Sequence, residues 1–199
     1  MLLTYDLGHF SMHMARHITS MNVVAPLLAA FIVTHRQLHN TAASWVWIAA
    51  LGQIALLWTW HSPAVYDAAA LSPVLEFALH STLFIAALAF WFAVLTISTA
   101  ARWQAIPALL LTGKLTCLLA ALLIFAPRAL YRSANHLGHS AESLTEIRPP
   151  DDQHLAGLLM ITACPLSYLV AAVVIAMQLV GRPEARGTIS PHRRLPIGR

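Results

Sequence analysis

The sequence predicts an all-α, polytopic transmembrane helical bundle of about five spans, its N-terminus outside and its C-terminus in the cytoplasm. Three observations predict it. The 199 residues are 58% hydrophobic and only 10% charged, with a mean hydropathy of +0.67, whereas soluble domains carry about 25% charged residues. Five segments supply the ~20 mostly apolar residues that a hydrocarbon core demands: 9–34, 42–60, 73–98, 104–126 and 153–180. The basic residues divide unevenly between the two sides that five spans define. Arg36, Arg102, Arg182, Arg186, Arg193, Arg194 and Arg199 fall on one, and Arg16, Arg128, Arg132 and Arg148 on the other. The richer side is read as cytoplasmic.

The segments follow from local chemistry. The first ten residues hold no Lys or Arg, so the positive region of a cleavable signal is missing and the first segment is expected to remain as a span. It is polar in its opening turns and apolar from Val23. Trp58 and Trp60 mark an outer boundary, while Trp45, Trp47 and Trp103 mark inner ones, as in an aromatic belt. Pro149-Pro150 stops any helix in the long polar loop 127–152, where a surface helix is expected around Asn135 to Leu144. Residues 1–180 then form one bundle. Residues 181–199, with three prolines and five arginines, form a basic cytoplasmic tail expected to be disordered. The net charge of +4 and the pI near 9.6 come mostly from that tail. This is a topology signal, and no nucleic-acid partner is expected. Cys117 and Cys164 stand alone in apolar segments and read as packing residues.

The polar residues are spent on one face. His9, His13, His17, His61, His80, His136, His139 and His154 fall at the outer side, leaving only His35, His39 and His192 inside. Asp6, Asp67, Glu76, Glu142, Glu146, Asp151 and Asp152 share the outer side. That asymmetry points to a bound metal.

Four stretches carry the idea. In HFSMHMARHITSM, His9, His13 and His17 recur every four residues and so share a helical face. His13 and His17 form a bidentate metal pair, because i and i+4 side chains converge; all three together span about 12 Å, too far for one ion. Met12, Met14 and Met21 add thioethers nearby. The alternative is a polar helix end at the interface. In WTWHSPAVYD, Pro63 fixes the chain after His61 and aims its imidazole over the bundle, or His61 simply interacts with the last helix carbonyls. Asp67 follows in a short turn or interfacial helix. In SPVLEFALHSTLF, Glu76 and His80 are four apart, and His80 lies about two turns below the surface. Ionisable groups at that depth face an interior or a cavity. A Glu76–His80 hydrogen bond is the plain reading; a depth shared with His13 and His17 favours a common site. In PPDDQHLAGLLM, Asp151 and Asp152 suit the positive end of the fifth helix, with ligand or supporting roles open to Asp152 and His154. Ala156-Gly157 permits close helix approach. His136 and His139 could pass a metal inward, although a solvated loop accounts for them equally. Lys114 stands alone in the fourth span. Imidazole suits copper, zinc, iron and nickel, and thioether shifts the choice toward Cu(I).

Taken together, these blocks resemble the caa3-type cytochrome c oxidase assembly factor family, the CtaG type. The matching residues are His13-Met14 with His17, Ala25-Pro26-Leu27-Leu28, Trp58-x-Trp60-His61-x-Pro63 with Tyr66-Asp67, His80 ahead of Phe90-Trp91, and Asp152-Gln153-x-Leu155-Ala156-Gly157 with Met160. They keep the family's order over residues 10 to 180. Arg16 replaces a polar amide, His154 replaces a glutamine, and five spans stand where members typically have about seven. The resemblance implies a copper-binding integral protein of the bacterial plasma membrane that delivers copper to a haem-copper cytochrome c oxidase. His13, His17, His61, His80 and Asp152 are its metal ligands by motif position, near the periplasmic face. Its implied partners are an oxidase subunit, an extracytoplasmic copper donor and membrane lipid, and a homo-oligomer is compatible with the sequence. No enzymatic activity is expected.

Other functions weigh less. Facing histidines such as His17 and His80 could hold b-type haem in a membrane redox protein. A metal transporter would need a polar path inward, and below His80 the sequence offers little beyond Lys114, Thr112, Thr116 and Gln53. No nucleophile sits beside a base, which argues against a hydrolytic enzyme.

Overall fold

The computed structural model describes residues 9–38, 40–126, 130 and 149–181. The expected surface helix near 135–144, His39, His136, His139 and nearly all of the basic tail lie outside the described residues. Among those described, every element is helical: α1 (His9–Thr19), a π-helical turn (Ser20–Val24), α2 (Ala25–Arg36), α3 (Ala43–Trp60), α4 (Pro63–Ala70), α5 (Pro73–Thr96), a 3₁₀ turn (Thr99–Gln104), α6 (Ala105–Phe125) and α7 (Pro149–Val180). Five stretches are long and apolar enough to cross a membrane: Phe10–Arg36, Ala43–Trp60, Pro73–Thr96, Thr99–Phe125 and Asp152–Val180. They match the five predicted spans. α4 is the short helix expected after His61.

Pro26 explains why the first span is not a uniform helix. Proline has no N–H and clashes with the carbonyl of the preceding turn. Just before it the helix widens, and the Ala25 N–H reaches back five residues to the Ser20 carbonyl. The next bond of that wider ladder would run from residue 26 to Met21, and Pro26 cannot make it. The Trp91 indole Nε1 donates to the Met21 carbonyl instead, at 3.1 Å. One side chain from α5 thereby satisfies the acceptor that Pro26 leaves open.

Small residues set the distances between spans. Ala25, Ala29, Ala50, Ala87, Ala105, Ala108, Ala120 and Ala156 are fully buried at the helix contacts, as expected where dispersion packing holds spans together in lipid. α6 and α7 lie closest of all. A Cβ on Gly157 would stand 2.7 Å from Ile124 Cγ1, 3.1 Å from the Ala120 carbonyl oxygen and 3.3 Å from the Ile124 nitrogen. Side-chain bonds pin the two ends of the bundle. At one end, Thr41 and Thr96 join through backbone and hydroxyl bonds of 3.0 Å, Trp47 Nε1 donates to Gln104 Oε1 at 3.1 Å, and Arg102 donates to Gln178 at 2.7 Å. At the other end, Gln153 Nε2 donates to the Leu123 carbonyl at 3.0 Å, and its Oε1 accepts from the Leu130 N–H at 2.8 Å. Gln153 thus closes the C-terminal end of α6.

Gly157→Ala is expected to cost about 1–3 kcal/mol, because two of the atoms it meets are backbone and cannot step aside. Gly52 has nothing within 4 Å of its added Cβ. Thermal unfolding in detergent should show a lowered midpoint for Gly157→Ala and none for Gly52→Ala; equal midpoints would contradict the close α6–α7 contact.

Candidate metal centre

The predicted histidines gather at the end of the bundle where α1, α5 and α7 begin and α3 ends. His13 and His17 project from one face of α1, and their Nε2 atoms are 2.8 Å apart. The i, i+4 spacing therefore produces the convergence expected of it. His80 comes from α5. Its ring centroid lies 4.9 Å from that of His13 and 4.5 Å from that of His17, nearly parallel to the latter. One ring nitrogen from each of His13, His17 and His80 falls within 4.8 Å of the others. Ligands about 2.0 Å from a common ion stand about 3.4 Å apart, so modest side-chain rotation closes the group. Tyr66 from α4 backs it, its ring edge-on to His13 at 5.3 Å and to Phe10 at 5.3 Å.

The tautomers suit coordination. His80 Nδ1 lies 2.8 Å from the Glu76 backbone carbonyl. A carbonyl only accepts, so Nδ1 carries the proton and Nε2 the lone pair. The expected Glu76–His80 bond exists, but it uses the peptide oxygen. His80 Nε2 and His17 Nδ1 are both buried without a hydrogen-bond partner. A buried polar atom left unpaired costs about 1–3 kcal/mol, and a cation would relieve that cost. The residues present therefore fit a metal of imidazole preference.

His61 and Asp152 were expected in the same group, and the structure places them beside it. His61 is the C-cap of α3, and both its backbone N–H and its Nδ1 reach the Leu57 carbonyl, the ring nitrogen at 2.7 Å. The helix-end reading of His61 is thus realised. Its ring centroid is 6.2 Å from that of His17, and its Nε2 faces the Met14 sulfur at 3.4 Å. One residue past the second span, burial pushes the His61 imidazole down to about 4, only partly offset by the Leu57 hydrogen bond; it is neutral at physiological pH. Asp152 turns to the N-terminus of α1. Its carboxylate accepts from the Phe10 N–H at 2.9 Å and the Ser11 N–H at 3.0 Å, and also from the Ser11 hydroxyl. The cap expected for its own helix is delivered to the facing one instead, because the first turn of α1 has N–H groups to satisfy. Of the other candidates, Met12 is exposed, Met14 and Met21 are buried, and His154 is half-buried. The side chains of His9 and Asp151 lie outside the described residues. Ser11, Tyr66 and Trp91 support the site without having been singled out; Tyr66 and Trp91 stood inside the matched motif blocks, whereas Ser11 carried no signal.

A polytopic helical membrane protein with a buried imidazole cluster at one end is the class these features define. A model of the family "Cytochrome c oxidase caa3 assembly factor (Caa3_CtaG)" matches residues 1–182, and the chain belongs to that family. Searches of curated proteins and of solved structures return no match.

Asp152→Ala removes the acceptor for two backbone N–H groups of α1. The expected loss is about 1–3 kcal/mol, read as a lowered unfolding midpoint. An unchanged midpoint would contradict the clamp.

Proposed function

We propose that this protein carries copper for the assembly of a cytochrome c oxidase. His13, His17 and His80 hold the ion, and ligand exchange passes it to an oxidase subunit docked beside them in the membrane. The observation that carries this reading is the convergence of three imidazoles, His13 and His17 buried and His80 half-buried, from two separate spans. Copper is favoured over harder metals because the donors are imidazoles, and the Met14 thioether shares a cavity lining with His17. Family membership supplies the recipient class, since its members are named for assembling that enzyme. Reversible transfer needs a set that can open, and three imidazoles without a thiolate cage suit it. The protein acts as a carrier, and no substrate bond is broken. The basic-residue pattern supports a site at the extracytoplasmic face of the bacterial plasma membrane, where a copper donor would reach it.

The haem reading fits the geometry less well. Two axial histidines must oppose each other across a slot wide enough for the tetrapyrrole. His17 and His80 instead stack with an interplanar angle of 18° and centroids 4.5 Å apart.

Elemental analysis and Cu(I) competition on the purified protein test the proposal. His13→Ala, His17→Ala and His80→Ala should each weaken copper binding by about tenfold or more, as loss of a strong ligand does. His35→Ala, exposed at the far end of the first span, should bind like the wild type. Full copper retention in all three variants would overturn the site, and a Soret band would favour haem.

A further inference from the structure

Beside the three imidazoles lies a second group of donors with different chemistry. A small cavity of about 20 Å³ is lined by Met14, His17, His61, Met160 and Cys164, among others. That is room for one water-sized occupant. Met14, Met160 and Cys164 are nearly inaccessible to solvent, at 1%, 3% and 5% exposure, so three buried sulfur residues border this space.

The contact between His61 and Met14 turns the space into a site. With its Nδ1 hydrogen-bonded to the Leu57 carbonyl, the His61 ring is held so that Nε2 faces into this space. The atom 3.4 Å away is the Met14 sulfur, which has lone pairs and no proton. The two atoms stand close enough for one soft cation to be bound by both. Two further lining residues, Asn22 and Cys164, are held in place as well. The Ser167 hydroxyl donates to Asn22 Oδ1 at 2.7 Å, which turns the amide nitrogen of Asn22 toward the Cys164 sulfur at 3.5 Å.

We propose that this cavity is a second, softer copper station, in which Cu(I) is held by His61 Nε2 and the thioethers of Met14 and Met160. This rests on the reading that the chain handles copper. Softness selects the ion, since thioether donors prefer Cu(I). Charge agrees, because three neutral donors leave a single positive charge to be buried, and each further buried charge is costly. His17 belongs both to the imidazole group and to the cavity wall, so the stations are neighbours and an ion moves between them by exchanging ligands around His17. His61 also borders a groove lined by Trp58, Pro63, Leu119 and Leu122. The protein then has one nitrogen-rich position and one sulfur-rich position.

The test uses the full-length protein in detergent, titrated anaerobically with Cu(I) against a competing Cu(I) chelator. X-ray absorption is recorded on wild type labelled with selenomethionine. Two equivalents should bind, with a copper–selenium scattering path present. Met14→Leu/Met160→Leu, which conserves volume, should bind one equivalent with nitrogen-only coordination. His13→Ala/His80→Ala should bind one equivalent that keeps the selenium path. A single nitrogen-only copper in wild type, or two equivalents in the methionine double variant, would overturn the second station and leave the imidazole site standing. Absence of copper from every form would overturn both. Because the selenium path is read on the unmutated chain, a variant that fails to fold does not protect the proposal.

Discussion

The position of the first helix depends on the Asp152 carboxylate. The first turn of any helix has N–H groups without internal partners, and within a bilayer water is not there to take them. The α1 turn at Phe10 and Ser11 sits at the edge of that region, and Asp152 accepts from both nitrogens. Two bonds to successive residues fix depth and rotation together. Once rotation is fixed, the face bearing His13 and His17 has no choice but to meet α5 at His80. The adjacent residue, Gln153, does the corresponding work at the C-terminal end of α6. One turn of α7 therefore positions two neighbours, and Gly157, a turn further on, lets α6 come close enough for this to happen.

A second constraint acts from below. The π turn at Ser20–Val24 separates α1 from α2, and such turns change which face a helix presents by inserting an extra residue into its repeat. α2 packs against α5 through Ala25 and Ala29, while α1 must direct imidazoles toward the same helix. Pro26 makes the break, and Trp91 makes it tolerable by donating to Met21. Trp91 also stacks on Tyr168 with centroids 5.6 Å apart, and the Tyr168 hydroxyl accepts from Gln53 at 2.8 Å. The floor of the cavity is thus tied to the device that turns the helix above it.

Much of this could be read from residue order, and the remainder could not for a definable reason. Span positions follow from runs of apolar residues, so all five were legible. The His13–His17 pair follows from helical spacing, and the depth of His80 follows from counting turns inward from Pro73. What counting cannot supply is azimuth between separate helices. His61 and Asp152 lie at the right depth but face elsewhere. His61 is turned by the carbonyl that its own Nδ1 binds, and Asp152 by a helix end 141 or more residues away in sequence. The π turn escaped notice for a related reason. Pro26 signals a disturbance, but whether the helix kinks, ends or widens depends on a donor arriving from α5.

The polar groups beneath the imidazoles bear on whether the bundle holds a path across the membrane. A transport path needs polar atoms still open to a passing ion. Here the Thr112 hydroxyl donates to the Ala108 carbonyl and the Thr116 hydroxyl to the Thr112 carbonyl, at 2.8 and 2.9 Å. Gln53 gives its amide hydrogen to Tyr168. The two hydroxyl hydrogens are spent on their own helix, and among these groups the Gln53 Oε1 is buried without a hydrogen-bond partner. Lys114, the cation of this span, is exposed on the outside of the bundle, not in its interior. Toward the opposite end the interior continues as Ala87, Phe90, Val94 and Leu109, which offer an ion nothing. Among the described residues, the imidazoles therefore concentrate at the end of the bundle where α1 and α7 begin. That geometry suits a protein that receives a metal and hands it on at one face.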